Sequence, residues 1–449
     1  DEEFEKDREL IIDSFKEKGY FYVDAAYDLQ INKDSNIVNI IWQIEPGPEY
    51  VFGQTTVKGN EHVSTDFILR QLAYKQGYTF KEKLIQNTEQ NIYDLGLFRV
   101  VKVRGIYSKK DGTRIPVEIE VNEAPRLNTQ IGVGYGTEDE FRTNIDLRRL
   151  SLFGGARRIE LSARHSALEL YNINLRYVQP QFISSRAHLI INPFIRRDTE
   201  PGYETRRAGL NLPITYNIPE DLHSSLNFYT ERVLQEVSQD DPERGDASSG
   251  EYLYNKTGFV LDNEWNTMTP LFFPDKGVFV HLSYKLNGYI FESNFNYMRL
   301  LLDFRNYQRI GAVILAAKFK VGGIQSGDNT GFIPVEDRFY TGGSMSIRGW
   351  PRSKLGPMLK GNPIGGKSMI ESSLELRYPI YGKLSGTIFT DAGNVWESSY
   401  SYHFSEFRYS VGIGLRYRIP IGPVRVDLAR PIYDKKKTFQ LHINIGQAF

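Results

Sequence analysis

Few residues of this 449-residue chain could do chemistry, and most of the obvious candidates fail on spacing. The seven histidines show no metal-ligand spacing, cysteine is absent, and no nucleophile stands near a matching base, so neither a catalytic role nor a cofactor or metal is expected. Gly361-Asn362-Pro363-Ile364-Gly365-Gly366-Lys367-Ser368 fits the phosphate-loop pattern. Such a loop must open a helix, whereas the residues after it alternate with period two, and nucleotide binding is rejected. Arg244-Gly245-Asp246 lies in an acidic, Ser-rich stretch and reads as chance. What remains is electrostatic. Arg348 sits in Gly342-Gly343-Ser344-Met345-Ser346-Ile347-Arg348-Gly349-Trp350. Between Ile347 and Gly349, an arginine can aim its planar fork of donors where the backbone runs close to a wall, because Gly349 leaves room.

The partners of such a guanidinium are carboxylates on whatever wall it meets. From 367 onward apolar and polar residues alternate. If Leu374, Leu376 and Tyr378 take one face, then Glu371, Ser373, Glu375 and Arg377 take the other. If Leu384 and Ile388 share the first face, Phe389 and Asp391 point to the second. Glu375 and Asp391 then lie on neighbouring strands, on one face, just after the segment that carries Arg348. A guanidinium can bridge two carboxylates with charge-assisted bonds. Glu371 competes for the first position. A plainer reading makes all of these solvated residues of a water-filled interior.

The elements that position them are long alternating strands. Ile159, Leu161 and Ala163 oppose Arg158, Glu160, Ser162 and Arg164; Tyr409, Val411, Ile413, Leu415, Tyr417 and Ile419 oppose Arg408, Ser410, Gly412, Gly414, Arg416 and Arg418. A soluble sandwich also alternates, but its strands are shorter, and here charge recurs on the polar face in strand after strand. About ten residues per strand suits a tilted membrane barrel. Sixteen strands are expected, at about 127–136, 140–150, 156–167, 169–180, 185–197, 204–216, 221–236, 253–265, 276–287, 296–308, 311–322, 367–378, 383–392, 407–419, 422–430 and 438–449. An even count returns both ends of the barrel to one side. The long connections 239–250, 323–366 and 393–406 then all fall on the opposite side. Of these, 323–366 is the longest stretch without alternation, and such length in a compact domain is usually functional. Its Phe332, Phe339, Tyr340 and Trp350 predict that it packs against something.

Composition agrees. No run of 18 apolar residues exists to form a membrane helix, a test that a barrel escapes. The 28 Tyr and 27 Phe would supply interfacial girdles. Net charge is +0, so nothing argues for a nucleic-acid partner. The start at Asp1-Glu2-Glu3 carries no leader; for an exported protein the leader and earlier domains would lie upstream of this sequence.

The first 125 residues read differently. A helix over Glu2–Phe15 precedes strands at Phe21–Ile31 and Ile37–Ile44. A strand over Val51–Lys58 precedes a helix capped by Ser64 and a second opened by a capping box, Thr79-x-x-Glu82; strands follow at Phe98–Tyr107 and Arg114–Val121. Lys18-Gly19-Tyr20-Phe21 matches Leu95-Gly96-Leu97-Phe98, and Pro48 matches Pro125 at the same spacing. One β-α-α-β-β unit therefore occupies 49–125, and 1–48 is a copy without its opening strand and helix.

Taken in order, Gly-Gly followed by Ile347-Arg348-Gly349-Trp350, then Phe389-Thr390-Asp391-Ala392-Gly393-Asn394-Val395-Trp396, then Pro420-Ile421-Gly422-Pro423, and a final Phe449 resemble the signatures of the outer-membrane assembly-factor superfamily, the BamA/TamA type. Trp350 departs from the usual Phe or Tyr. The loop variant and the closing residues look slightly more TamA-like. The repeated units resemble POTRA domains, the periplasmic modules of that superfamily. The resemblance implies α+β POTRA modules (1–48 partial, 49–125 complete) followed by a 16-stranded antiparallel transmembrane β-barrel over 126–449, with the loop 323–366 folded into its lumen. It implies that Arg348 is a structural latch with Glu375 and Asp391 as acceptors, flanked by Ile347, Gly349 and Trp350. It also implies a lateral gate between the first strand, with Gly132, Gly134 and Gly136 on its lumen face, and the last, with Gly446 and Phe449. From the residues alone, these glycines could as well relieve crowding in a curved wall. The implied location is the bacterial outer membrane with POTRA domains in the periplasm. The implied partners are client outer-membrane barrels or autotransporters, the lipid bilayer, and periplasmic or inner-membrane accessory subunits. A two-partner secretion transporter and a passive porin are the rival readings.

Overall fold

The computed structural model describes all residues except 1, 21, 33–36, 108–111, 185, 219–220, 238–249, 271–272, 328–330, 420–421, 435–437 and 446–449. Gly446 and Phe449, and the Arg244-Gly245-Asp246 tripeptide, lie outside the described residues. The chain divides into two compact units: residues 1–127 with 149–158, and residues 128–148 with 159–449.

In the first unit, α1 (Glu2–Lys16) precedes an antiparallel hairpin of β1 (Asp24–Asn32) and β2 (Ile37–Glu45). Next come β3 (Val51–Lys58), α2 (Thr65–Leu69), α3 (Glu82–Tyr93), β4 (Phe98–Gly105) and β5 (Arg114–Glu123), with sheet order β3-β5-β4. The strand β3 runs parallel to β5 and β4 antiparallel to it. The two helices bury Ile68, Ile85 and Ile92 against Phe52, Val117 and Ile119 of the sheet, and the Phe52 and Tyr74 rings stack at 3.8 Å. Ser64 caps α2 as expected, its Oγ accepting from the Phe67 N–H at 3.3 Å. The expected capping box does not form. Lys81 holds the N-cap of α3 without a side-chain bond, Thr79 instead donates to Glu49 at 2.8 Å, and Glu82 accepts from the Tyr107 hydroxyl at 3.3 Å. Two nearby side chains outcompeted the local motif.

The second unit is built on one 16-stranded antiparallel sheet that curls into a nearly closed barrel. Its first eight strands are β6 (Leu127–Gly136), β7 (Glu140–Leu152), β8 (Arg157–His165), β9 (Glu169–Pro180), β10 (Ala187–Glu200), β11 (Tyr203–Ile218), β12 (Leu222–Val237) and β13 (Gly250–Asn266). Then come β14 (Gly277–Asn287), β15 (Tyr297–Ile310) and β16 (Val313–Ser326). The long loop follows, carrying a one-turn 3-10 helix (Val335–Asp337) and the tiny hairpin β17 (Met358–Leu359) and β18 (Asn362–Pro363). The wall resumes with β19 (Ser368–Tyr381), β20 (Leu384–Trp396), β21 (Arg408–Ile419), β22 (Gly422–Ile432) and β23 (Gln440–Ile445). Each wall strand follows its neighbour in sequence, with β16 paired to β19 across the loop. Gly323 to Ser326, expected in the loop, belong to β16.

The burial pattern inverts that of a soluble protein. Leu376 is 46% exposed and Ile413 61%, while Glu375, Asp391, Arg425 and Asp427 between such neighbours are fully buried. An outside this apolar around an ionic interior is stable only where the outside faces hydrocarbon.

Candidate functional site

The segment between β16 and β19 folds back inside the barrel. Its apolar residues pack on the wall: Ile333 and Phe339 join Tyr297, Ile324, Met369 and Val395 in one buried cluster. Two ionic clasps then fix its course.

The first clasp centres on Arg348, which is fully buried. Its Nη1 donates to Glu375 Oε1 at 2.6 Å, Nη2 to Asp391 Oδ1 at 2.6 Å and to Ser373 Oγ at 3.1 Å, and Nε to Asp391 Oδ2 at 2.9 Å. The backbone N–H of Arg348 also donates to Asp391 Oδ2 at 3.0 Å. The guanidinium carbon lies 3.3 Å from the centroid of the Phe389 ring, so the fork stacks on an aromatic face while its edges bind acids. Glycines make this approach possible. A Cβ on Gly349 would stand 2.5 Å from Ser410 Cβ, and one on Gly393 would stand 2.1 Å from the Ile370 carbonyl and 2.9 Å from Ile347 Cδ1. Ile347 is fully buried there, and Trp350 is partly buried. Glu371 does not take Arg348; it accepts from Ser346 Oγ and pairs with Lys318 at 3.2 Å.

Several partners went unnoticed in the sequence. Arg377 Nε donates to Glu375 Oε2 at 2.7 Å, Arg416 pairs with Asp427, and Asp427 lies 3.6 Å from Arg348 Nη1. Arg425 donates to the Ser344 carbonyl at 3.0 Å, and His442 on β23 lies 3.0 Å from the Arg348 carbonyl. Alternation along β22 is enough to put Arg425 and Asp427 on one face, but that strand's faces were not assigned, and nothing in one sequence gives their height. Arg348, Arg377, Arg416 and Arg425 each lie within 3.4 Å of a carboxylate of Glu375, Asp391 or Asp427, the pairing that a buried ion array requires.

The second clasp was not foreseen. Lys256 Nζ, fully buried on β13, lies 3.0 Å from Glu231, 2.6 Å from Glu336 and 2.8 Å from Asp337. Lys285 on β14 donates to Asp337 at 2.6 Å, as does the Tyr297 hydroxyl at 2.5 Å. Glu336 and Asp337 belong to the 3-10 turn of the loop, so the loop is tied to β12–β15 as well as to β19–β22. Near the outer end of the loop, Arg352 binds Glu200 at 2.6 Å.

The two ends of the sheet are β6 and β23. They meet where the Thr137 N–H donates to the Ile443 carbonyl at 3.1 Å and Arg142 Nη2 to the Ile445 carbonyl at 3.4 Å. Gly132, Gly134 and Gly136 turn to the lumen. A Cβ on Gly132 would meet Asn144, one on Gly134 would meet Arg142, and one on Gly136 would meet Asp139 and Asn444. At these glycines the room is taken by polar side chains of β7, of the β6–β7 turn and of β23.

A nearly closed 16-stranded barrel with a loop clasped inside it, joined to a β-α-α-β-β module, defines an outer-membrane barrel of the POTRA-bearing class. Residues 151–449 match the Omp85 superfamily domain, and residues 50–124 match POTRA, a surface antigen variable number repeat. The chain belongs to the Omp85 superfamily; its barrel lies in the outer membrane and its POTRA module in the periplasm. It is 21% identical to the outer membrane protein assembly factor BamA of Neorickettsia risticii over 96% of this chain and 60% of that protein. It is 22% identical to a SAM50-like protein of Schizosaccharomyces pombe over 77% of this chain and 76% of that one. In fold it resembles BamA of Haemophilus ducreyi lacking POTRA domains 1–3, with TM-score 0.81, 18% identity and coverage of 100% and 93%. It also resembles CdiB of Acinetobacter baumannii, with TM-score 0.57, 14% identity and coverage of 98% and 80%. The chain thus spans about three-fifths of the bacterial assembly factors it matches by sequence. The lean toward the TamA type rests on the loop and terminal residues alone.

Proposed function

We propose that this protein folds and inserts other outer-membrane barrels, without nucleotide hydrolysis, through a lateral gate between β6 and β23. One observation carries the reading. The Arg348 clasp ties the loop to β19, β20 and β22, and its carbonyl meets His442 of β23. The loop is thus clasped to the β23 side of the seam, and across the seam it reaches the β6–β7 turn, where Glu138 accepts from the Ser344 N–H and lies 3.7 Å from Arg352; in this reading β6 parts from β23 when those turn contacts yield. An opened β6 edge would present unpaired backbone groups to a client strand. In this reading Ile347, Arg348, Gly349, Trp350, Glu375 and Asp391 form a structural latch. Residues 126–449 are the insertase barrel, 49–125 a POTRA domain and 1–48 part of another. The outer strands β3 and β4 of the POTRA sheet offer edges for strand addition, and accessory subunits would bind the same modules.

Cysteines at Thr137 and Ile443, whose backbones already meet, test the gate in a chain that has no other cysteine. Oxidation should abolish assembly of a reporter barrel and reduction restore it. An oxidised protein that remains active sinks the gate. A large, steady conductance in planar bilayers would instead favour a diffusion pore. Depletion followed by a census of outer-membrane proteins separates general assembly, by broad loss, from export of a single client.

A further inference from the structure

The connection between β14 and β15 is short and apolar: Gly288-Tyr289-Ile290-Phe291-Glu292-Ser293-Asn294-Phe295-Asn296. Strand parity puts it at the outer end of the barrel. Its course follows from unequal strand lengths. The β12–β13 ladder spans Leu222 to Val237 and Gly250 to Trp265, but β14 pairs with β13 only from Gly258 to Asn266. The outer half of β13 is left with a free edge, and the connection covers it. The Gly288 N–H donates to the Thr257 carbonyl at 2.9 Å, Asn294 N–H to the Asn255 carbonyl at 3.1 Å, and Asn255 N–H to Asn294 Oδ1 at 2.7 Å.

This pairing lays the connection on the outside of the wall. On β12 the lumen face carries the buried Tyr229, Glu231, Val233 and Gln235, so Leu226 and Phe228 point outward. Phe259 is the register partner of Phe228. The Phe291 ring packs edge-on to Phe228 at 5.2 Å and against Phe259 at 5.7 Å, so it rests on the outer surface. Tyr289 is 44% exposed, Ile290 63% and Phe291 44%, three consecutive large residues at the outer end of a wall whose paired Leu226 and Leu261 also face outward. The opposite end of this face is marked by Trp265, paired with Leu222. Phe228 stands six residues further along β12, or roughly 15 Å higher for a strand tilted by about 40°. That is inside an apolar band of about 25 Å. Arg232, exposed on the same face, stands near its upper limit.

We infer that Tyr289, Ile290 and Phe291 form a hook that seats in the outer leaflet, its side chains among acyl chains just below the headgroups. The occupant is lipid because the patch is continuous with the lipid-facing surface of the barrel, and because Gly288 and Asn294 at the ends of the connection already pair with β13 while the Phe291 N–H turns back to the Gly288 carbonyl. It has apolar area to bury and a backbone folded on itself rather than extended as a strand edge. The hook anchors the outer end of β12–β15, the wall that holds the second loop clasp.

The absence of native cysteine makes the test direct. Ile290→Cys would carry a polarity-sensitive fluorophore in the full chain, reconstituted in phospholipid vesicles. Ser405→Cys, exposed in the β20–β21 connection, is the control. The expected result is a blue-shifted Ile290 probe, quenched several-fold more by lipid carrying a nitroxide high on its acyl chain than the control, and several-fold less by iodide. Equal iodide quenching at the two sites would overturn the inference, as would a probe shielded from iodide and nitroxide lipid alike, which would mean that protein covers the hook.

Discussion

Ile347 Cδ1 stands 2.9 Å from where a Cβ on Gly393 would be, so the loop and the β20 wall interlock at a residue without a side chain. The neighbouring contacts repeat the fit in another currency: Arg348 on Phe389 and Asp391, Gly349 against Ser410. The two sequence motifs are thus two halves of one joint. Gly393→Ala would press first on the Ile370 carbonyl of the wall, so the joint is better tested from the loop: Ile347→Ala should empty it while leaving every charge in place. The expected result is a barrel that still folds but whose loop is cut by added protease at least several-fold faster, with assembly activity reduced. Unchanged proteolysis would show that the joint is set by charge alone.

Among the described residues, Arg348 is the cation that joins Asp391 and Glu375, and Arg348→Ala removes it. Stripping one partner from a buried ion cluster costs about 3–5 kcal/mol. Arg377 and Arg416 still face Glu375, at 2.7 and 3.7 Å, so Asp391 bears most of the loss. We expect loss of the heat-resistant compact form on semi-native gels and lowered assembly activity. Arg348→Lys should rescue only partly, since an ammonium cannot bind both acids and stack on Phe389. Full heat stability in Arg348→Ala would refute the latch.

The second clasp predicts a regional defect. Lys256→Met leaves Glu336 and Asp337 with Lys285 on Asp337, and Glu231 with Arg207 at 3.9 Å. Hydrogen exchange should rise across residues 332–340 and stay low across 345–350. Combined with Arg348→Ala, the two changes should release the whole loop. Equal exchange in both segments of Lys256→Met would mean that the loop moves as one body.

How much of this was legible beforehand follows from what period two contains. Alternation says which face a residue takes, so Glu375 and Asp391 could be put on the lumen side beside a loop that carries Arg348. It does not say which of many lumen residues stand at one height across the barrel. For that reason Asp427 was missed, although its face was readable, and Glu371 remained a rival until the register placed it beside Ser346. The Lys256 clasp joins residues more than 70 positions apart through a 3-10 turn with no periodic signal. Thr79 shows the opposite failure, a local motif overruled by the nearby Glu49. The unequal lengths of β13 and β14, which send the Tyr289 hook outward, are likewise invisible to pattern.

The periplasmic module offers a pH test. The Glu123 carboxylate ends β5 and gathers three backbone donors: Glu61 at 2.9 Å, His62 at 2.8 Å and Val63 at 2.8 Å. Burial is the largest single influence and pushes its pKa up. The three N–H donors and the His62 ring together outweigh it, and hold Glu123 below the ordinary glutamate value. A carboxylate depressed on folding binds fewer protons than the unfolded chain does. Its stabilising contribution is complete above the unfolded value of about 4.3 and fades as pH falls through the lower folded value. Glu123→Gln keeps an acceptor oxygen but removes the titration. The urea midpoint of the module within the full chain should therefore fall less between pH 6 and pH 3, as chosen assay limits, in Glu123→Gln than in the native protein, and the variant should be weaker at neutral pH. Midpoints that fall in parallel would show that the carboxylate charge contributes nothing to holding the β3–α2 turn on β5.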